Sequence, residues 1–546
     1  MSLANHKRLL AFLGGIIIIL GAVSFHNIQK GHSKTTPQSI NLYTTNALST
    51  LDVSKSTDSV SNSQLTEVDE GLYRLDANSK PVNALADKTR ISKDGKNYTI
   101  DLKHDGRWSN GDPVTAQDFV YSWRRTLNPK TKSEFTYVFS NIKNADQVAA
   151  GKLSTSELGV KAVGKYQLKI ELSKPASYFT KLLASSTFYP INQKSVQKFG
   201  NKYGTSAATT SFNGPFTLEN WTGTNDAWVL KKNPKYRDHQ AVKLNKINYK
   251  VMKSNSTAYN MYQAHKFDVA TLTGEQNVAN KSNPALKTLS AGSVGFIQYN
   301  QKNKVAANKN LRLAISQAID RKQLTQKILQ NGSIPAKSFA VQNMAKSPKD
   351  QRDFADEAYV KNTVDYQPSD AQANFDKAQK ELNQKQINLT ITCGDDDNTH
   401  QMAEFIQSQL TGHLKGLNVE IQALPFPSML AKVSQGHFQL NLTAWNMDFA
   451  DPDQSLTILT SHSNSNMGHF KNKTFDNLMT KADGTDALKG SDRYNDLLQA
   501  AKIVAKEQAV TPLYEGRTHV LVNPRLKGVV FNNFSGAMNF RTAYVK

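Results

Sequence analysis

The chain has 546 residues, 38% hydrophobic and 9% aromatic; these are ordinary globular proportions in a length that exceeds one core and points to roughly three to four domains. Its formal net charge of +22 comes mostly from scattered lysines. No dense basic block interleaved with aromatics appears, so the charge argues against nucleic-acid binding and allows a solvated basic surface or weak adsorption to an anionic envelope. The single cysteine, Cys393, excludes an internal disulfide, and no HExxH, GxSxG, P-loop or GxGxxG motif offers an active site.

In chain order, Lys7 and Arg8 precede an apolar run over residues 9–25, LLAFLGGIIIILGAVSF. About 17 apolar residues is the lower limit for crossing a bilayer, and the basic start directs the rest of the chain outward. Ala22-Val23-Ser24 is similar to a small-residue cleavage site, so cleavage and retention as an anchor are both open; the very apolar residues 16–20 favour the anchor. Residues 31–39, GHSKTTPQS, form a polar tether.

Alternation then predicts a strand at Ile40-Asn41-Leu42-Tyr43, and residues 50–76 supply a loop, a helix and a strand ending in EGLYRLD. In NYTIDL, residues 97–102, Tyr98, Ile100 and Leu102 share one face of a strand. Asn110-Gly111 and Asp112-Pro113 make a turn, after which Thr115 is the N-cap, with Asp118 as reciprocal partner, of a helix carrying Phe119, Val120 and Trp123. Asn213-Gly214-Pro215-Phe216 opens a hairpin, FTLENW and AWVLKKN, that ends in Asn233-Pro234-Lys235-Tyr236. FIQYN is a strand, followed by a helix with Leu311, Ala314, Ile315, Ala318 and Ile319 on one face. Asp320 caps a second short helix and Gly332 stops it.

From Ile387 strands and helices alternate: INLTIT, a helix over about 399–414, VEIQAL, a helix around 429–433, then FQLNLTAW. This order favours a parallel or mixed α/β sheet. The last strand-like segment is TPLYEGRTHVLVN. Cys393 reads as a small strand-end residue. Gly394-Asp395-Asp396-Asp397-Asn398 lacks the glycine and final acid of an EF-hand and reads as a capped helix start. The twelve histidines are scattered, without metal-ligand spacing.

Residues 84–125, ALADKTRISKDGKNYTIDLKHDGRWSNGDPVTAQDFVYSWRR, carry more than turn chemistry. They closely resemble the signature of the extracytoplasmic solute-binding proteins of peptide ABC importers (family 5), in the oligopeptide-binding branch. The glycine-proline-aromatic strand at Gly214, the asparagine-proline-x-tyrosine turn at Asn233, and the alanine-isoleucine-aspartate-arginine junction at Ala318 extend the resemblance over residues 40–546. It implies an α/β, two-lobed periplasmic-binding-protein-like fold (type II) with an extra inserted domain. The implied division is 1–30 signal or anchor, 31–39 linker, 40–71, 207–297 and 513–546 lobe 1, 72–206 accessory domain, and 298–512 lobe 2. Many Gram-positive relatives close their leader with a lipid-modified cysteine, which this chain lacks, so a cysteine-linked lipoprotein is not expected.

The implied function is capture of extracellular oligopeptides between the lobes and delivery to a membrane permease. The implied setting is a monomer at the outer face of the cytoplasmic membrane or secreted, not an enzyme, with no cofactor, metal or nucleic acid. Binding of a signalling peptide, or surface adhesion, is the alternative on the same fold.

On residues alone, Asp448 in AWNMDFADP is a turn acid or loop cap. The resemblance implies instead that it pairs with the α-ammonium of a bound peptide. Trp445 then lines the first side-chain pocket, and backbone around Ala444 and Asn446 bonds the ligand main chain. A second wall comes from residues 58–61, with Val60 and Ser61, and a third from Phe135 and Tyr137, for which a core role is equally open. No basic residue is assignable to the peptide carboxylate. Charge plus main-chain pairing reads what all peptides share, and hydrated pockets tolerate what differs.

Overall fold

The computed structural model describes residues 37–546; the expectations for the apolar run and for most of the tether lie outside the described residues. Among the described residues no helix is long and apolar enough to cross a membrane.

The first sheet is built from strands whose alternate residues are apolar. Strand β1 (Ser39–Thr44) buries Ile40 and Leu42. Helix α1 (Ser59–Val68) follows, capped by Asp58, whose carboxylate accepts the Ser61 N–H at 2.8 Å. A short hairpin, β2 (Tyr73–Leu75) with β3 (Pro81–Asn83), leads into a second sheet. There β4 (Ala86–Ile91), β5 (Asn97–Leu102), β6 (Val160–Ala162) and β7 (Gln167–Glu171) form an antiparallel sheet in the order β4-β5-β7-β6. Tyr98, Ile100 and Leu102 all point into its core, as the two-residue period requires. Gly111 turns with a φ of +93°. Helix α2 (Ala116–Leu127) starts where Asp118 accepts the backbone N–H and hydroxyl of Thr115, at 2.8 and 2.9 Å. Phe119 and Trp123 are fully buried beneath it.

The chain then returns through β8 (Phe216–Glu219), β9 (Ala227–Lys232) and β10 (Lys246–Val251), which complete the first sheet in the order β1-β10-β9-β8. Trp228 stacks on its cross-strand partner Tyr249, and its indole N–H donates to Gln64 on α1 at 2.9 Å. Tyr236, from the asparagine-proline-x-tyrosine turn, is buried and donates its hydroxyl to Glu70 at 2.6 Å.

The largest sheet has seven strands. Its strands are β11 (Val269–Thr271), β12 (Leu286–Tyr299), β13 (Ile334–Pro335), β14 (Ile387–Gly394), β15 (Leu417–Leu424), β16 (Leu440–Asn446) and β17 (Val510–Val522). The order is β11-β17-β12-β16-β14-β15, with β13 beside β17. β14 runs parallel to both β15 and β16, while β12 is antiparallel to β16, so the sheet is mixed. The long antiparallel pair β12–β17 runs from β11 at one end to β16 at the other. Its register shifts between Ser290 and Val294, where Gly292 adopts a φ of +58°. Such a bulge bends paired strands and increases their twist.

The helix Lys309–Ala318 buries Leu311, Ala314, Ile315 and Ala318. Asp320 caps the next turn by accepting the Gln323 N–H at 3.0 Å. That segment ends at Gln330, with a φ of +48°, two residues before the expected stop at Gly332. A non-glycine residue supplies the left-handed turn, leaving Gly332 to pass under His519, only 2.6 Å from where its Cβ would sit. The acidic run starts the helix Asp397–His413, with Asp396 accepting the Thr399 N–H at 3.1 Å. Cys393 is buried in β14, and burial pushes its thiol up to about 11.

Candidate functional site

The site grows from an unfinished edge. β16 pairs with β12 over seven residues, Leu440 to Asn446. On its other side β14 accompanies it only at Leu440 and Asn441, then stays with β15 to Leu424. From Leu442 to Asn446 no strand covers that side of β16 among the described residues. Unpaired backbone groups along such an edge are a template for another extended chain.

Ala444 and Asn446 are exposed on this free stretch, while Trp445 is half-buried between them. Ala444 lies opposite Gly295 on β12, which in turn lies opposite Tyr514 on β17. The Tyr514 ring covers Gly295 so closely that a Cβ there would sit 2.1 Å from a ring carbon. Burial raises the Tyr514 phenol above its ordinary pKa, and the charge of Asp396 adds to the rise. Sequence reasoning did not single out Tyr514; its only local signal was membership of an alternating strand.

The segment after β16 is firmly held. The Met447 N–H donates to the Gly292 carbonyl at 2.9 Å, continuing the ladder onto the bulge of β12. The Trp445 indole donates to the Gln454 carbonyl at 2.8 Å, and the Gln454 side chain accepts the Asp448 N–H at 3.2 Å. Arg493 grips Asp451 through two bonds of 3.0 and 2.9 Å, both partners being buried. Burial opposes the Arg493 charge, but Asp451 outweighs it and the guanidinium pKa is raised. Burial, with the charges of Asp483 and Asp451, pushes Asp453 up to about 7.

This segment also packs against the chain around Tyr178. Phe449 stacks on Tyr178 with ring centres 5.0 Å apart and joins the hydrophobic core that holds Tyr98, Phe119 and Trp123. Lys181 donates to the Ala450 carbonyl, and Lys174 pairs with Asp483 at 3.0 Å. Arg493 lies over the other ring of the stack, 5.6 Å from the centre of Tyr178.

Asp448 therefore sits between a strand edge and the Phe449–Tyr178 stack. Its side chain is exposed, yet desolvation raises its pKa above the ordinary aspartate value. Among the described residues no lysine, arginine or histidine forms an ion pair with Asp448. Tyr137 is 57% exposed, and its phenol pKa is raised by desolvation and then by the Asp448 charge. Phe135 packs at 5.8 Å from Tyr137. Ala444, Trp445 and Asn446 thus adjoin Asp448 along the chain, and Tyr137, with Phe135 beside it, is near enough for the Asp448 charge to act on its phenol.

Val60 and Ser61 are placed differently. Both are buried in the first turns of α1, and the Ser61 hydroxyl accepts the N–H groups of Ser49 and Thr50 at 3.3 and 3.2 Å. Their side chains are committed to the packing around α1 and are not offered to a ligand. A separate groove of about 690 Å³ lies beside β14 and β15, between Thr392, Gln422 and His437, and contains none of the expected binding residues.

Comparison with known proteins bears on this arrangement. The family described as bacterial extracellular solute-binding proteins, family 5 Middle, matches residues 80–467. The dipeptide-binding protein of Lactococcus lactis subsp. cremoris is 34% identical over 523 residues, covering 91% of this chain and 93% of that protein. The peptide-bound OppA of Listeria monocytogenes has the same fold, with a TM-score of 0.75 at 35% identity over 93% of this chain and 99% of that one. The pheromone receptor PrgZ, solved with its mode of peptide binding, gives a TM-score of 0.76 at 33% identity, covering 94% of this chain and 100% of that one. The two-lobed α/β architecture expected from the sequence is the one these proteins share.

Proposed function

Because this chain belongs to family 5 of the bacterial extracellular solute-binding proteins, we propose that it captures oligopeptides outside the cytoplasmic membrane and hands them to an ABC permease. One observation carries the reading: a strand edge free from Leu442 to Asn446 leads directly to a carboxylate with no cation of its own. A peptide laid along that edge bonds through its main chain, and its ammonium meets Asp448. Trp445 and Tyr137 flank the first residues of the ligand, and Phe135 backs Tyr137. Val60 and Ser61 contribute backbone alone.

The proposed division keeps residues 72–206 as an accessory domain and lets the β12–β17 pair serve as the hinge between lobes. The protein acts as a monomeric binding protein without catalysis or cofactor, held at the membrane by residues 1–30 or released from it. A second reading, capture of a signalling peptide in the same cleft, is favoured by the likeness to the pheromone receptor PrgZ.

Native mass spectrometry of the protein after exposure to a mixed peptide digest tests the proposal. Retained masses corresponding to short free-amine peptides are expected; a protein that retains none from any digest refutes it. Peptide uptake by cells with and without the permease then separates import from signalling.

A further inference from the structure

A second cavity, of about 390 Å³, opens where α1 ends, between the first lobe, the accessory domain and the carboxyl-terminal segment. It lies near Asp69, whereas Val60 is at the opposite end of the same helix, roughly 13 Å away at 1.5 Å per residue. Small-molecule sites of about 300–1,000 Å³ favour such domain seams, with mostly apolar walls and a few fixed polar groups. Leu75, Val82, Pro215 and Met538 give this cavity its apolar side.

Its charged residues are accounted for one by one. Glu70 receives the Tyr236 hydroxyl at 2.6 Å and Arg237 at 2.8 Å, with Arg74 at 3.6 Å. Arg541 is paired with Asp238 at 2.7 Å. Asp76 accepts the N–H groups of Asn78 and Lys80 in its own turn. Asp69 stands apart. It is only 5% exposed, and one of its oxygens accepts the Asn213 N–H at 3.2 Å. The other oxygen has no partner among the described residues. Tyr189, 4% exposed, lines the same cavity with an unpartnered hydroxyl that feels the charges of Glu70 and Asp69.

We infer that this cavity is a second ligand site, for a small primary amine with an apolar body, whose ammonium is received by Asp69 and Tyr189. An uncompensated buried charge is costly, so the empty site keeps the acid protonated, and an arriving ammonium supplies the counter-charge that lets it ionise. Burial has pushed the Asp69 carboxyl up to about 8, as expected of an acid lacking its counter-charge. The apolar walls fit a hydrocarbon or aromatic body better than a zwitterion, because Arg541 and Arg74 are already paired and no free cation awaits a ligand carboxylate.

The test is calorimetry with 2-phenylethylamine as probe, run on the full chain with the peptide cleft saturated and on an Asp448→Asn variant. Binding is expected in both, and 2-phenylethanol, which has no charge, should bind about 10- to 100-fold more weakly. Asp69→Asn should weaken the amine by a similar factor without altering peptide affinity. Met538→Trp, which fills the apolar wall and leaves the acid in place, should abolish amine binding even if the aspartate variant folds poorly. Absence of amine binding, loss on peptide saturation or in Asp448→Asn, or equal affinity for amine and alcohol would overturn the site. Failure of the peptide reading leaves the amine result standing, since the two clefts are probed separately.

Discussion

Replacing Asp448 by asparagine keeps the side-chain shape and removes one charge, so it isolates the ion pair on which peptide capture is proposed to depend. In the unliganded protein the carboxylate is exposed and has no cation; capture must therefore bring an ammonium to it and cover both. An exposed ion pair contributes about 0–1 kcal/mol, whereas deleting one partner of a buried pair costs about 3–5 kcal/mol. Desolvation already raises the Asp448 pKa, which places the covered pair toward the upper range. Asparagine can still accept a hydrogen bond. The expected loss is about 2–4 kcal/mol, or roughly 30- to 700-fold in affinity at 1.4 kcal/mol per tenfold.

Titration calorimetry with a short peptide and its N-acetylated form gives a double-mutant cycle. Acetylation should weaken binding to the parent by about the same factor, and should change little in Asp448→Asn. The pH dependence has a defined sign. Binding needs Asp448 ionised, and its raised pKa means that affinity declines as pH falls through a value above the ordinary ~3.9 of aspartate. It declines again as pH rises past about 8, where the α-amine loses its proton. Equal affinity for free and acetylated peptides, or independent additive losses, would remove Asp448 from this role.

Glu67 is buried, with one oxygen unpartnered and a carboxyl pushed by burial up to about 8 from its usual 4.5. The folded state holds that proton more tightly than the unfolded, so the contribution to stability is complete below about pH 4.5 and is lost as pH rises toward 8. Glu67→Gln should stabilise by roughly 2–4 kcal/mol at pH 8 and very little at pH 4; denaturation curves with the same spacing at both pH values would refute this. Arg493→Leu strands Asp451 and should cost about 3–5 kcal/mol in urea denaturation, with a loss below about 1 kcal/mol counting against the buried pair. Gly295→Ala drives a methyl into the Tyr514 ring and should cost about 1–3 kcal/mol. Adding Tyr514→Leu should restore much of that loss, and no recovery would place the strain elsewhere.

The sequence made local elements legible because local chemistry makes them. Tyr98, Ile100 and Leu102 alternate and are buried; Asp396 and Asp320 cap the helices they precede. The long pairing of β12 with β17 was only partly visible. FIQYN was readable as a strand, but the stretch from Leu286 to Ala291 is half-exposed or exposed throughout, so it lacks the alternation that flags a half-buried strand. The residues 58–61 were expected as a cleft wall, but Asp58 caps a helix there, and that helix is what buries Val60 and Ser61. Phe449 and Arg493 had no local signal for their roles. Their partners, Tyr178 and Asp451, lie 271 and 42 residues away, and only the fold brings them together.

An open strand edge is ordinarily a liability, blunted by lysine, proline or a bulge. The free stretch Thr443-Ala444-Trp445-Asn446 contains no charge and no proline, so nothing in its chemistry resists pairing. What protects it is position. β12 covers one side, and the segment from Met447 to Asp451 turns away to be held by Gly292, Gln454 and Arg493 and to seat Phe449 against Tyr178. These contacts fix the backbone that carries Asp448 while leaving its carboxylate exposed. The ordering of the loop is thus supplied by the fold before a ligand arrives, and an extended chain that completes the edge need not order it. A protein that must accept many sequences gains most from this arrangement, because the preset groups, an edge and one charge, are those that a peptide of any composition can satisfy.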